Sequence, residues 1–361
     1  MKKVLKAIVY TLAVLISLPV LYASYLYLNT QFHIGTTNAE NQAYLNQHVK
    51  SVGREQIDET TIASLLDEDF YKAQVILLGE NHGFADVQKL DEALVKHLNI
   101  KLGLRYYLAE MDSTRAAQLN TYLTANKPND SLLYSVVKAI GKRIPQQSSQ
   151  QLFAKWQALH QYNQDLPADR KLIVLGIDTD FDHPVKNRDS VMLVNFNYLV
   201  ETNNLQNEQF FGLFGYTHVL QQGYGAANHQ PFAARLTKAN LPYAQRVISL
   251  ACYTLDSEMF FPVNGPYGGP ADEKLGLINA DGPLIAAKGI QDLAELSQEE
   301  TISLFKLNGE NSPYNSSQHL AGLKVNLFGN DILPTNKQAS TTDMFQYAVL
   351  LRNSPALTGL N

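Results

Sequence analysis

Glu80 and His82 stand two residues apart, just after the apolar run Val75-Ile76-Leu77-Leu78, with Gly79 and Gly83 flanking them. A carboxylate beside an imidazole makes histidine a general base: the acid orients one ring nitrogen and stabilises the cation formed when the other takes a proton. Three later apolar runs end in the same residue types. Glu110 follows Tyr106 to Ala109, Asp178 follows Leu172 to Ile177, and His218 follows Phe210 to Gly215. Two of these stretches share a form, Gly79-x-x-His82 and Gly215-x-x-His218, in which the glycine is expected to free the backbone for a sharp turn. Two histidines with a carboxylate also suit a catalytic divalent metal that keeps a position open for water, so His82, His218 and Glu110 are candidate metal ligands. A metal-free site would instead use one imidazole to activate water, and the residues leave both routes open. Glu110 has a plainer reading as a helix-capping acid, and Asp178 as a loop hydrogen-bonder.

These groups act together only if the fold brings them to one place. Short apolar runs read as strands buried on both faces, and strands alternating with helices give a parallel sheet whose ligands bind beyond the strands' carboxyl ends. Val87, Leu90, Leu94 and Leu98 mark the buried face of a helix starting near Asp86. Ser113 is expected to cap a helix through Leu123, with further helices at Asp130 to Ile140 and Ser148 to Gln161, forming an insertion or lid after the second strand. Another helix is expected from Asp189 to Val200, and strands at Arg246 to Ala251 and Met344 to Leu351. The Gly- and Pro-rich stretch from Pro262 to Gly282 is a loop long enough to fold over a site. The expected fold class is α/β, a mainly parallel sheet flanked by helices, as a single domain over residues 61–355.

The amino terminus speaks to location. Lys2, Lys3 and Lys6 precede an apolar run from Ala7 to Leu28, long enough to span a bilayer. Lysines before the run place residues 1–6 in the cytoplasm, residues 7–28 as an uncleaved anchor and the main domain on the periplasmic side of the inner membrane. A cleaved signal peptide is the competing reading. Residues 29–60 are polar and read as a spacer with little fixed structure.

Bulk properties exclude several classes. A net charge of −5 without a dense basic block gives no electrostatic reason to expect nucleic acid as a partner. The single cysteine, Cys252, rules out an internal disulfide framework and a cysteine-rich zinc site. There is no Gly-x-Ser-x-Gly elbow, His-Glu-x-x-His, phosphate-binding glycine loop or Cys-x-x-Cys-His.

Leu78-Gly79-Glu80-Asn81-His82, with Glu110-Met111 one helix and one strand later, resembles the superfamily that joins erythromycin-esterase-like proteins, ChaN haem-binding lipoproteins and Tiki/TraB metalloproteases. The paired Gly-x-x-His motifs with Glu110 are similar to the Tiki arrangement. Arg188-Asp189 with Met192 and Asn195 or Asn197 is similar to the Arg-Asp-x-x-Met-x-x-Asn helix of the erythromycin-esterase branch. That branch usually has one more residue between glutamate and histidine; the spacing here is the shorter one of ChaN and Tiki, which counts against macrolide hydrolysis. The resemblance implies a hydrolase of ester or amide bonds in a small molecule or peptide. Its site would comprise Glu80 orienting His82, Glu110 as second base or ligand, His218, and Arg188 either as oxyanion stabiliser or paired with Glu80 or Asp178. The alternative it implies is a ChaN-like haem or iron binder without turnover.

Overall fold

The computed structural model describes residues 2–183, 185–266, 268–326 and 329–360. Eight strands form one sheet: β1 (Val49–Gly53), β2 (Val75–Glu80), β3 (Tyr106–Ala109), β4 (Ile173–Gly176), β5 (Phe210–Gly215), β6 (Val247–Leu255), β7 (Thr301–Lys306) and β8 (Tyr347–Arg352). Their spatial order is β1-β7-β8-β6-β2-β5-β3-β4. The six strands from β8 to β4 are parallel, while β7 runs antiparallel to both β8 and β1. β2, β3, β5 and β6 are buried at every position, which is why they read as unbroken apolar runs. β5 comes after β4 in the chain yet enters between β2 and β3.

The principal helices are α1 (Lys2–Ile34), α2 (Ala39–His48), α3 (Ala85–Leu102), α4 (Ser113–Thr124), α5 (Asp130–Ile140), α6 (Gln150–Asp165), α7 (Arg188–Thr202) and α8 (Phe232–Lys238). α3 lays Val87, Leu90, Leu94 and Leu98 on one sheet face, and the insertion α4–α6 joins it there through Leu119, Val136 and Trp156. α7 and α8 cover the opposite face through Met192, Phe196 and Phe232.

Several boundaries differ from expectation, each for a local reason. Asp112, rather than Ser113, caps α4, its carboxylate accepting from the Arg115 amide. Met344 closes a short helix, Thr341–Met344, before β8 begins. Residues 29–60 are not an unstructured spacer: Asn38 caps α2, Tyr44 and Leu45 are buried, and β1 completes the sheet edge against β7. Only three residues of α2 are buried, so its sequence shows a weak apolar stripe. The stretch from Pro262 to Gly282 closes on itself, Gly269 N donating to Pro262 O at 3.1 Å, and it pairs Lys274–Leu275 with Met259–Phe260.

α1 contains a segment, Ala13–Ile34, long and apolar enough to cross a membrane, and 6% of its 18-residue apolar window is buried. Its last turn docks on the domain. Thr30 and Ile34 are buried, Asn326 Nδ2 donates to Thr30 Oγ1 at 2.7 Å, and Lys324 Nζ donates to Asn29 Oδ1 at 3.0 Å.

Candidate active site

β2 ends on Glu80, which lies in register with Gly215 at the end of the neighbouring β5. Glu80 is buried, and its Oε1 accepts from His82 Nδ1 at 2.9 Å and from Gln147 Nε2 at 2.5 Å. With Nδ1 donating to the carboxylate, the other nitrogen of His82, Nε2, is left as an acceptor. The chain leaves His82 through Gly83, whose φ of 108° is a left-handed conformation that favours glycine. Gly79 and Gly215 act differently from the expectation, since neither has a positive φ. Both are glycine because of close approach. A Cβ on Gly79 would stand 2.3 Å from Val219 Cγ2, and one on Gly215 would stand 3.0 Å from His82 Nε2 and 3.6 Å from Glu110 Oε2.

Glu110 follows β3 and lies between the two histidines. Its Oε2 accepts from the Gly215 amide at 2.7 Å, its Oε1 accepts from Arg188 Nη2 at 2.7 Å, and His218 Nε2 lies 3.4 Å from that same Oε1. Because Asp112 caps α4, Glu110 is free of the capping role. His218 sits in the single turn after β5 and donates through Nδ1 to Asp189 Oδ1 at 2.7 Å, and that carboxylate is held in turn by the Phe232 amide at 2.6 Å. Arg188 starts α7 and grips Asp178 with two bonds, Nε to Oδ1 at 3.1 Å and Nη2 to Oδ2 at 2.5 Å. Asp178 also accepts from the Thr179 amide and has Arg143 at 3.8 Å.

Glu110, Arg188 and His218 are linked directly, and the hydrogen-bonded Glu80–His82 pair stands beside them at Gly215, on the carboxyl edge of β2, β5, β3 and β4. Sequence reasoning missed Gln147, which a short turn of the insertion brings onto Glu80, and Arg143. Asp189 was visible only as part of the Arg188-Asp189 pair, with no sign that it would meet His218.

The charges settle as follows. Burial lowers the His82 pKa, but the hydrogen bond and charge of Glu80 and the charge of Glu110 outweigh it, so the value is raised above 6.5. Burial acts on His218 too, and is overcome by Glu110 and Asp189, which push it up to about 10; at neutral pH it is an imidazolium. Glu110, whose burial would raise it, is held far below the usual carboxylate range by His218, His82 and Arg188. Such a site has one imidazole that can take a proton from water and a second that carries positive charge beside it.

A metal fits poorly among these donors. His218 has a carboxylate at each ring nitrogen, and both Glu110 oxygens are engaged by Arg188 and the Gly215 amide. A dication would have to displace the guanidinium, and among the described residues no group of three histidine, cysteine or acidic side chains is arranged to hold an ion. Arg188 is held by Glu110 and Asp178 through Nε and Nη2, which fixes Glu110, and its Nη1 takes no part in those bonds. The cleft outside His218 mixes polar side chains, among them Lys186, Asn187, Asn228 and Gln230, with Val185, Tyr224, Ala227 and His229.

No protein-family model and no curated protein sequence matches the chain. Solved structures do. A Bacillus cereus protein superposes at a TM-score of 0.62 with 13% identity, covering 89% of this chain and 98% of its own. A succinoglycan biosynthesis protein gives 0.59 with 11% identity, covering 90% and 100%. An erythromycin esterase mutant in its open conformation gives 0.58 with 11% identity, covering 86% and 99%. At such identities the likeness concerns architecture, and over nearly its whole length this chain has the erythromycin-esterase-like fold.

Proposed function

We propose that the protein is an exported, membrane-anchored hydrolase that adds water across an ester or amide bond of a small molecule or peptide. The observation that carries this reading is His82, whose Nδ1 is fixed on buried Glu80 while Nε2 stands open beside Gly215 and Glu110. Neutral Nε2 removes a proton from a water as its oxygen attacks the carbonyl carbon, and Glu80 stabilises the resulting imidazolium. When the bond to the leaving oxygen or nitrogen breaks, His82 returns the proton to it. Two cations, His218 between Asp189 and Glu110 and Arg188 with Nη1 left unengaged by Glu110 and Asp178, stabilise negative charge on the tetrahedral oxygen. Arg188 and Asp178 keep Glu110 in place and take no part in proton transfer. α1 holds the domain at the membrane, with Lys2, Lys3 and Lys6 on the cytoplasmic side.

The test uses the purified full-length chain in detergent with a panel of 4-nitrophenyl esters. Hydrolysis that survives a chelator and disappears in His82→Ala is the expected result. Saturable haemin binding without turnover of any ester would overturn it.

A further inference from the structure

Beside Glu110 and Gln147, the space between the sheet and the insertion is incompletely filled. A cavity of about 30 Å³ remains, lined by Gln88 of α3, Tyr107 and Glu110 of the sheet edge, and Gln147, Lys155 and Trp156 of the insertion. One water needs about 10–15 Å³ on this scale, so the space admits a group of a few heavy atoms. Glu110 and Gln147 belong to the site already described, which makes the cavity continuous with it.

Two of its polar residues, Gln88 and Trp156, lack partners among the described residues. Both amide atoms of Gln88 and the indole nitrogen of Trp156 are buried with no hydrogen bond among the described residues, and each residue is 2% exposed. Groups buried in this way are normally satisfied by protein, by ordered water or by another bound molecule. The charge beside them is already neutralised: Lys155 Nζ donates to Asp91 Oδ2 at 2.6 Å, and the Tyr107 hydroxyl donates to the same oxygen at 2.9 Å. An ionised ligand would enter without a counter-charge. The vacant positions are the two amide hydrogens of Gln88, the indole hydrogen of Trp156 and the oxygen of Gln88. A group that offers a carbonyl oxygen and an N–H together satisfies this set.

We infer that the cavity is a subsite for an uncharged carboxamide, carried by the substrate as a substituent near the bond that is cut. Its carbonyl accepts from Trp156 Nε1 and the Gln88 amide, and its N–H donates to Gln88 Oε1. The insertion forms one wall, so the group enters when the insertion moves off the sheet. The substrate assignment rests on the hydrolase reading; carboxamide binding does not.

Trp156 is the chain's only tryptophan, so the intrinsic emission of the full-length protein in detergent reports this wall directly and needs no turnover. Titration with propionamide is expected to give a saturable change. 2-Butanone, of similar size but without N–H, should bind roughly tenfold more weakly, the equivalent of one hydrogen bond to a buried group, and propionate should give no saturable response. Gln88→Met should abolish the propionamide response while leaving the emission maximum in place. A strictly linear response, equal responses to propionamide and 2-butanone, or a response that survives Gln88→Met would each mean that the cavity holds only water, and would overturn the assignment. If Gln88→Met does not fold, the three-ligand series on the unmodified chain decides alone. Because no arm uses ester hydrolysis, loss of the hydrolase reading leaves this result interpretable.

Discussion

At the scale of single residues, the site depends on which proton each histidine holds. His82 must be neutral to accept a proton, and its pKa is raised above 6.5, with Glu80 the main cause that raises it. The acidic limb of kcat/KM is therefore expected above pH 6.5, and Glu80→Gln should move it to lower pH while cutting kcat by about 10² or more. An acidic limb that stays in place in Glu80→Gln would show that Glu80 does not set the base. The alkaline limb belongs to His218 and should lie near pH 10. The same shifts bear on stability, with opposite signs. His218 has a raised folded pKa, so its contribution is complete below 6.5 and lost as pH climbs toward 10; Glu110 has a depressed one, so its contribution is complete above 4.5 and lost on acidification. Thermal unfolding between pH 4 and 10 should show the highest Tm between 4.5 and 6.5, and His218→Asn should flatten the alkaline decline.

At the scale of elements, close packing of β2 against β5 and the turn that follows it positions the imidazole. Gly215→Ala would put a methyl 3.0 Å from His82 Nε2. The ring must tilt away from the water position, so hydrolysis should fall by about 10² with little change in Tm, in line with the sensitivity of general-base geometry to small displacements. Gly79→Ala fails in another way, because its methyl meets buried Val219 at 2.3 Å. That variant should lose about 1–3 kcal/mol of stability, measured by denaturant unfolding. The insertion matters through Gln147: Gln147→Ala leaves Glu80 Oε1 with His82 as its remaining partner, and kcat should drop while Tm stays within a few degrees.

At the scale of the whole molecule, the apolar helix and the domain are joined without a flexible tether. The last turn of α1 is buried against the domain through Thr30 and Ile34, so the docked part and the exposed part of the helix should behave differently on truncation. A chain that starts at residue 29 is expected to be recovered from the soluble fraction with its Tm preserved. One that starts at residue 39 loses the Asn38 cap and these contacts and should unfold at lower temperature. Recovery of the full-length chain in the soluble fraction after carbonate extraction would contradict anchoring.

The amino-acid sequence by itself determined the alternation of buried strands and amphipathic helices, the apolar amino-terminal segment, and the presence of Glu80, His82, Glu110 and His218 at or just past strand ends. These are local matters of residue type and periodicity, and neighbouring side chains suffice to specify them. It did not disclose that residues 39–53 join the domain, as a helix over 39–48 and a sheet-edge strand over 49–53, since an edge strand and a thinly buried helix carry little apolar signal. Nor did it disclose the strand order. Placing β5 between β2 and β3 is what sets Gly215 against His82 and brings His218 to Glu110, and this depends on pairings between strands more than 100 residues apart. The partners of the charged groups were likewise decided only in three dimensions: Arg188 is taken up by Asp178 and Glu110, and His218 by Asp189, because burial obliges each charge to find the nearest counter-charge the fold supplies.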